Sequence, residues 1–337
     1  MGIGGVCGVR SVLRGRRERM WAAPPDRDPG SLPSVRRRGY DIRPMAQIRE
    51  IKKRMVAVGT IQRITKTMQM IATAKFTAAL QRAQATKPYT ATIRRLVGEL
   101  SAAAGDVSHP LIEGPAQPTK RELVFVISSD RGLCGAYNGN VLRTALRHIQ
   151  STTEAGTEVE LHTAGKKAGA FFAFQKLDVA KSYTLGDNPK YDEVDAIASS
   201  LIDRFVAGEF DAIRICSMRF ISNSRQVPEL LQLLPLKPDA VEADAGSSDA
   251  GNANFEFSPS STELLADLLP LSVKSQVFQC VNDAVVSEQV MRMIAMKAAT
   301  DNAGELKHSL KIQFNRARQA QITTELTEII SGAAALE

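Results

Sequence analysis

A helical repeat of apolar residues begins just after residue 45. Its members recur every three or four residues, as on one face of a long helix, with one stammer. They are Ile48, Ile51, Met55, Val58, Ile61, Ile64, Met68 and Ile71. Alanines continue the stripe, and Pro88 is expected to kink or end the helix. A straight helix over 46–87 would span about 63 Å, so the N-terminal helix predicted over 45–104 is too long to be buried in its own domain.

A second apolar repeat follows Pro270 and predicts a C-terminal helix over 271–337. It is a heptad repeat at Val277, Val281, Ala284, Met291, Ala295 and Ala298. The same register turns polar between 299 and 321, and apolar residues return from Ile322 onward. The fading stripe indicates that this stretch contacts something other than a simple coiled-coil partner.

The region between the two repeats, 105–270, alternates strand and helix patterns. Strands are predicted at 123–128, 158–164, 179–184, 212–221 and 227–236, and helices at 137–150, 166–174 and 192–207. This alternation predicts a small, largely parallel, doubly wound α/β sheet. The acidic, Gly/Ser/Asn-rich stretch 237–254 predicts a solvated loop or a disordered insertion, and a further helix is expected to begin near Ser261.

Long helices on both sides of an α/β insert predict the overall arrangement. The two helices would form a long antiparallel coiled coil, and the insert would lie where the chain reverses direction. The predicted fold class is therefore an α/β domain, the foot, at one end of a two-helix shaft.

Positive charge is concentrated at the start of the chain. Residues 45–104 carry eleven Lys and Arg against two acids, while the whole chain of 337 residues has a net charge of +7. The basic face of the first helix contains Arg49, Lys52, Lys53, Arg54, Arg63 and Lys66. A merely solvated face would hold more Glu at i,i+4 spacing, so this face is expected to contact something acidic. An acidic protein is favoured, and nucleic acid remains an alternative.

The cysteines do not indicate a metal site or a disulfide framework. Cys7, Cys134, Cys216 and Cys280 form no CxxC pair, and none lies at metal-ligand spacing from a His. A reducing compartment is the simplest interpretation. No apolar run approaches the length of about 18 residues that a membrane-spanning helix needs.

The first 44 residues have a composition unlike the rest of the chain. They hold ten Arg, four acids and several Gly and Pro, with no sustained period. A mitochondrial transit peptide would be Arg-rich, but it would also contain more Ser and fewer acids. The interpretation favoured here is that translation begins at Met45, with a cleaved leader as the alternative.

One turn has the position of a ligand-binding loop, because it follows a predicted strand and precedes a helix. Ser129 or Cys134, supported by Asp130, could be drawn as a nucleophile. The turn contains no His, no GxGxxG motif and no Lys followed by Ser or Thr, so neither a triad nor a phosphate loop is formed. The favoured interpretation is a structural turn built from Asp130, Arg131, Gly132, Cys134 and Gly135, with no cofactor or metal.

Three segments, in this order and at this spacing, resemble the gamma (central-shaft) subunit family of F-type ATP synthases. They are IREIKKRMVAVGTIQRITKTMQMIATAKF at 48–76, SSDRGLCGAYN at 128–138, and the run from Ser287 to Leu336. The leader and the insertion 237–254 depart from the family pattern. The last segment matches the family signature at Ile322, Thr323, Glu325, Glu328, Gly332, Ala333 and Ala335.

The resemblance implies a non-catalytic rotor. The two helices would turn in the bore of a hexamer of alpha and beta subunits, and the foot would bind the membrane c-ring and an epsilon-type subunit (delta in mitochondria). Proton flow would turn the ring and drive each beta subunit through its states. The expected location is peripheral, on the cytoplasmic side of a bacterial inner membrane, with the matrix side of the mitochondrial inner membrane as the alternative.

The resemblance also assigns residues. Arg318, Gln319 and Thr323 would form a polar catch with loops of the beta subunits, and Met68 would lie near the same coupling region. The basic residues Lys52, Lys53 and Arg54 would face acidic beta segments. Two other functions remain open from the residues alone: a basic coiled-coil scaffold or nucleic-acid-binding protein, and a small hydrolase or nucleotide-binding enzyme built on 123–236.

The same architecture generates a prediction about the leader. Both termini would lie at the hexamer end of the shaft, so residues 1–44 would have to thread the bore beside the second helix. We expect these residues to be absent from the purified complex. Intact-mass measurement of this subunit tests the expectation, and a mass that includes Met1 would contradict it.

Overall fold

The computed structural model describes residues 44–104, 109–115, 118–236 and 261–336. The predictions for the leader and for the insertion 237–254 concern residues outside these ranges, apart from Pro44. The elements are α1 (Pro44–Ala104), α2 (Pro110–Glu113), β1 (Arg121–Ile127), α3 (Tyr137–Glu154), β2 (Glu158–Ala164), α4 (Lys166–Phe174), β3 (Lys181–Tyr183), α5 (Tyr191–Val206), β4 (Ala212–Ser222), β5 (Arg225–Leu234) and α6 (Ser261–Ala334). Every strand and helix predicted between residues 123 and 236 is present.

The two long helices, α1 and α6, pack antiparallel and stay in step. The hydroxyls of Thr65 and Thr300 are 2.8 Å apart, and Thr86 Oγ1 lies 3.0 Å from Gln279 Oε1. The two contacts lie 21 residues, or three heptads, apart along each helix. A contact face that repeats every seven residues is the geometry of a coiled coil.

The apolar stripe predicted for α1 is wrong at Ile61, Ile64 and Ile71. The buried or half-buried face keeps the strict heptad alternation and continues through Gln62, Thr65, Gln69, Ala72 and Phe76. Ile61, Ile64 and Ile71 are instead 52%, 54% and 51% exposed. The isoleucines leave the face that contacts α6 at the stammer. There the apolar residues are spaced by three residues several times in succession, whereas the contact face keeps its seven-residue repeat.

Neither proline ends its helix, although Pro88 was expected to kink or end α1 and the C-terminal helix was predicted over 271–337. Pro270 lies inside α6, which begins at Ser261 rather than at residue 271, and Pro88 lies inside α1. Each proline removes one backbone hydrogen bond to the residue four positions earlier. Those residues, Gln84 and Ala266, are exposed, so water can bind the freed carbonyl groups.

The fading stripe of α6 is also reinterpreted by the structure. Between 299 and 321 the partner of α6 is α1, through a face shifted from the predicted register that includes Thr300, Ala303, Leu310, Phe314 and Ala317. When the register of Thr65 and Thr300 is extended by three heptads towards the start of α1, Pro44 lies opposite Gln321. Residues 322–334, here called the tip, extend about 20 Å past the first described residue of α1. All of their side chains are exposed.

The foot contains a five-stranded sheet of order β3-β2-β1-β4-β5. Neighbouring strands are parallel except for β4 and β5, which form an antiparallel pair. Leu123, Phe125 and Ile127 of β1 share a core with α5 and α6. Val124 and Val126, on the other side of the same strand, pack with α3 and α4. The predicted doubly wound α/β domain with a two-helix shaft is confirmed.

Helix α6 is enclosed where it passes through the foot. No residue from Leu268 to Met293 is exposed, and Ile294 is the first exposed residue beyond this stretch. The end of α1 shares the same core through Ile93, Val97 and Leu100. In the described residues no helix has a stretch long and apolar enough to cross a membrane.

A glycine after β2 gives a stability test of this fold. Gly165 has φ +91°, and a Cβ there would lie 2.2 Å from the Ser128 carbonyl oxygen. We expect Gly165→Ala to lower the free energy of unfolding by about 3 kcal/mol, because strain and a backbone clash add. Urea unfolding of the isolated chain measures the loss.

Gly156 provides the matched control for this prediction. It has φ +83°, but a Cβ there would meet nothing within 4 Å. Gly156→Ala should therefore cost only about 1 kcal/mol, from the positive φ alone. Equal losses for the two variants would contradict the assigned clash.

Candidate functional site

The part of the shaft beyond the foot has the features of a protein-binding surface. This free shaft comprises residues 47–71 of α1 and 294–334 of α6. Within the described part of the chain, many of the large apolar side chains that remain exposed lie on it. They are Val56, Ile61, Ile64, Met70, Ile71, Ile294, Leu306, Ile312, Ile322, Leu326, Ile329 and Ile330. Apolar side chains clustered on so narrow an element mark a surface that a partner covers.

The basic residues predicted to contact a partner all lie on this free shaft. Lys52, Lys53 and Arg54 are exposed, and Arg54 forms an ion pair with Glu50 one turn earlier. Within the described residues, Lys52 and Lys53 have no carboxylate at ion-pair distance. Their charge remains available to attract an acidic surface.

The predicted polar catch spans the start of the tip, because Arg318 and Gln319 precede it and Thr323 is its second residue. Arg318, Gln319 and Thr323 are exposed on consecutive turns of α6, and Thr323 Oγ1 donates to the Gln319 carbonyl at 3.0 Å. Met68 is half-buried on α1 at the level of Lys297. About 31 Å of helix separates that level from Arg318. The structure therefore places Met68 and the catch at different heights of the shaft.

The family-signature residues lie in or immediately after the tip. All seven side chains are exposed, and Glu325 accepts a hydrogen bond from Gln321 Nε2 at 2.7 Å. The signature residues are Ile322, Thr323, Glu325, Glu328, Gly332, Ala333 and Ala335. No described residue of α1 lies beside them, so contacts with α1 do not determine which residues occupy these positions.

The turn after β1 is held by an asparagine from the first turn of α3. Asn138 Nδ2 donates to Ser129 Oγ at 2.8 Å and contacts Cys134 Sγ at 3.2 Å. Ser129 Oγ donates to the Arg131 carbonyl at 2.7 Å, and Asp130 accepts from the Lys166 amide at 3.1 Å. Among the described residues, no His or carboxylate hydrogen-bonds to Ser129 or Cys134, so the arrangement supplies no general base to either group.

The same turn rests against α6. Arg292 Nη2 donates to the Arg131 carbonyl at 3.2 Å. Gly135 has φ +59°, and a Cβ there would lie 3.7 Å from both the Met291 carbonyl oxygen and Ala295 Cβ. The turn is therefore a contact between the foot and the shaft.

Helix α6 also covers the crevice where doubly wound domains usually bind ligands, at the carboxyl ends of the strands. What remains is a cavity of about 260 Å³ whose lining includes Asp130, Asp187, Val281, Ala284 and Glu288. Ligand sites are usually larger, about 300–1,000 Å³. No group of three or more His, Cys, Asp or Glu among the described residues could hold a metal ion.

Comparison with known proteins assigns the family. A family model described as ATP synthase matches residues 47–336. The gamma chain of the Rhodopirellula baltica ATP synthase is 41% identical over 296 residues, which cover 87% of this chain and all of that one. The gamma chains of Mannheimia succiniciproducens and Leptospira biflexa are 40% and 38% identical with the same coverage. The chain belongs to the ATP synthase gamma family.

Solved structures share the fold of this gamma-family chain. One is from the Euglena gracilis mitochondrial ATP synthase, described as OSCP/F1/c-ring in rotational state 3. It has a TM-score of 0.59 at 18% identity and covers 87% of this chain and 95% of that one. A second, described as the rotor of the same enzyme, has a TM-score of 0.56 at 17% identity, covering 82% and 99%. The gamma-chain relatives do not favour the alternative of a basic coiled-coil scaffold or nucleic-acid-binding protein.

Sequence reasoning missed one residue that links the foot to both helices of this gamma-family shaft. Asp187, in the loop after β3, bonds through Oδ2 to Lys75 Nζ of α1 at 2.5 Å. Its Oδ1 accepts from Gln289 Nε2 of α6 at 3.3 Å, and its carbonyl accepts from Arg82 Nη2 at 3.2 Å. The hydrogen bond from Lys75 lowers the pKa of Asp187. The only sequence signal was a Gly-Asp-Asn-Pro turn, which does not indicate a partner.

Two half-buried carboxylates lie on α6 inside the foot. Burial raises the pKa of Glu288 although Arg292 pairs with it at 2.6 Å. Burial likewise raises the pKa of Asp283, which accepts from Gln279 Nε2 at 2.8 Å and lies near Lys87. The folded chain therefore holds these protons more tightly than the unfolded chain, and stability falls as the pH rises through the shifted pKa.

The raised pKa of Asp283 leads to a prediction about the stability of the folded chain. We expect Asp283→Asn to raise the free energy of unfolding at pH 7.5, because the amide accepts the same hydrogen bond without a buried charge. The difference from the parent should shrink as the pH falls towards about 3.9, where the unfolded carboxyl is half protonated. Urea unfolding across this pH range measures both effects.

Asp267→Asn, at an exposed position on the same helix, is the control. A surface change of this kind should stay within about 0.5 kcal/mol of the parent. A loss of stability at pH 7.5 for Asp283→Asn, or a pH-independent gain, would contradict the assigned cause.

Proposed function

We propose that this chain is the rotating central shaft of an F-type ATP synthase and contributes no catalytic residue itself. The observation that carries this is the free shaft. On α6 it runs about 62 Å beyond the foot, with apolar and basic faces that its own foot leaves uncovered. The crevice covered by α6, together with the absence of a general base at Ser129 and Cys134, supports the non-catalytic part of the proposal.

Rotation would act through the unequal faces of the free shaft. The apolar side chains of Ile61, Ile64 and Ile71 and the charges of Lys52 and Lys53 present different contacts to a surrounding ring of subunits at each angle. A subunit that meets a different contact settles in a different conformation, since each contact shifts its conformational equilibrium. One turn would then take each of three beta subunits through its successive states.

The polar catch and the apolar residues of the tip would have different tasks in the hexamer. Arg318, Gln319 and Thr323 would make directional hydrogen bonds with beta loops at one angle and release them at the next. The exposed apolar tip side chains, such as Leu326 and Ile330, would lie in an apolar sleeve. Hydrophobic contact has no preferred direction, so the sleeve would centre the shaft without holding one angle.

The remaining partners and the location follow from the family. The foot would bind the c-ring and an epsilon-type subunit, and the basic residues Lys52, Lys53 and Arg54 would face acidic segments of the beta subunits. Met68, lower on the shaft, would contact the base of the hexamer. The complex would lie on the cytoplasmic side of a bacterial inner membrane, with the mitochondrial matrix side as the alternative.

Reconstitution tests the rotor function. Purified alpha and beta subunits should co-assemble with this chain, and the assembly should show cooperative ATP hydrolysis faster than alpha and beta alone. Size-exclusion chromatography and steady-state turnover measure the two effects. If the chain neither co-assembles nor changes turnover, the proposal is wrong.

A single substitution tests the catch. Arg318→Ala should lower ATP turnover of the reconstituted assembly by about tenfold, the effect of losing one hydrogen bond to a charged group. Arg316→Ala is the matched control, because residues two apart on a helix face different directions. Equal effects of the two variants would remove Arg318 from the catch.

A further inference from the structure

The contacts of Asp187 lie where the shaft leaves the foot. Together Asp187, Lys75, Arg82 and Gln289 are here called the clasp. On α6 the clasp lies one turn before Ile294, the first exposed residue after the enclosed stretch. The clasp thus joins one loop of the foot to both helices at the boundary between the enclosed shaft and the free shaft.

Beside and below the clasp, apolar side chains pack the two helices against each other and against the foot. Phe76, Ala79 and Ala83 of α1 pack with Val286 and Val290 of α6. The ring of Phe76 also lies 6.3 Å from that of Phe220 on β4, measured between centroids. Hydrophobic contact is non-directional, so directional contacts between foot and shaft come from polar groups. On α6, Arg292 Nη2 donates to the Arg131 carbonyl at 3.2 Å and Ser287 Oγ to the Met218 carbonyl at 3.4 Å.

The clasp adds directional contacts to both helices at once, from a single loop of the foot. Hydrogen bonds weaken steeply as their angle departs from linear. One carboxylate engages Lys75 on one helix and Gln289 on the other. Rotation of the helix pair against the foot would therefore lengthen or bend at least one of these two bonds.

We propose that Asp187 is a positioning residue that fixes the angle at which the shaft leaves the foot, so that twist under torque is confined to the free shaft. This rests on the proposed rotor function. The partners of Asp187 in the described part of the chain, Lys75, Arg82 and Gln289, all lie outside the free shaft. Asp187 therefore acts on coupling through the stiffness of the exit and not through the hexamer.

The choice of variant follows from the exposure of the pair. The Lys75 and Asp187 side chains are 40% and 42% exposed, so Asp187→Ala should leave the chain folded. Asp187→Glu keeps a carboxylate within reach of Lys75 and serves as the conservative rescue. Asp195→Ala is the matched control, because Asp195 of α5 pairs with Lys274 of α6 at 3.0 Å inside the enclosed stretch.

The experiment uses the assembled complex with its hexamer immobilised and its nucleotide sites locked. A probe attached to the foot through Gln175→Cys, an exposed position, reports thermal fluctuations of the foot angle against the hexamer. Asp187→Ala should increase the angular variance, whereas Asp187→Glu and Asp195→Ala should match the parent. Unloaded ATP turnover should stay at the parent value in all three variants.

Hydrogen exchange of the same complexes gives a second readout. Loss of one partly exposed ion pair should speed exchange of the loop 184–190 by up to about fivefold in Asp187→Ala. Exchange in the rest of the foot should be unchanged, which separates a local change of angle from general destabilisation.

Each outcome decides the inference. An assembled, active Asp187→Ala complex with parental variance overturns it and leaves the rotor function intact. An Asp195→Ala variance as large as that of Asp187→Ala also overturns it, since any pair between foot and shaft would then serve. Failure of the parent chain to assemble overturns the rotor function, and the inference with it.

Discussion

The enclosure of α6 by the foot is the interaction on which the rest of the structure depends. Over 26 residues, from Leu268 to Met293, no side chain of this helix is exposed. One face of the sheet, helix α5 and the end of α1 share their apolar core with it. Because the shaft helix is itself part of the core of the foot, the two parts cannot fold as independent bodies joined by a linker.

The foot could be predicted closely from sequence, and the shaft only in outline. Strand β1 contains a continuous apolar run, 123–127, that is buried between two helical layers. Such runs alternating with amphipathic helices leave little choice of fold. The shaft register was wrong because apolar residues on α1 serve two surfaces. Ile61 and Ile64 face outward, while Gln62 and Thr65 face α6. Hydrophobicity alone cannot separate a self-contact from a partner contact.

The candidate site divides in the same way. Residue type and family likeness identified the catch and the basic residues, and the structure places them on exposed turns. The clasp could not be predicted from the sequence because Lys75 and Asp187 are 112 residues apart. Local sequence patterns do not indicate that an aspartate in a loop pairs with a lysine on a distant helix. The covering of the crevice by α6 could not be predicted either, since the sequence of the turn after β1 is compatible with a ligand or a helix above it.

The in-step pairing of α1 and α6 has a mechanical consequence. Thr65 and Thr300 recur in register with Thr86 and Gln279 after three heptads, and helices held in a seven-residue repeat wind around each other with a left hand. A left-handed pair of helices winds more tightly when it is twisted in one direction and unwinds when it is twisted in the other. In a rotor, the torsional stiffness of such a shaft therefore differs between the two directions of turning.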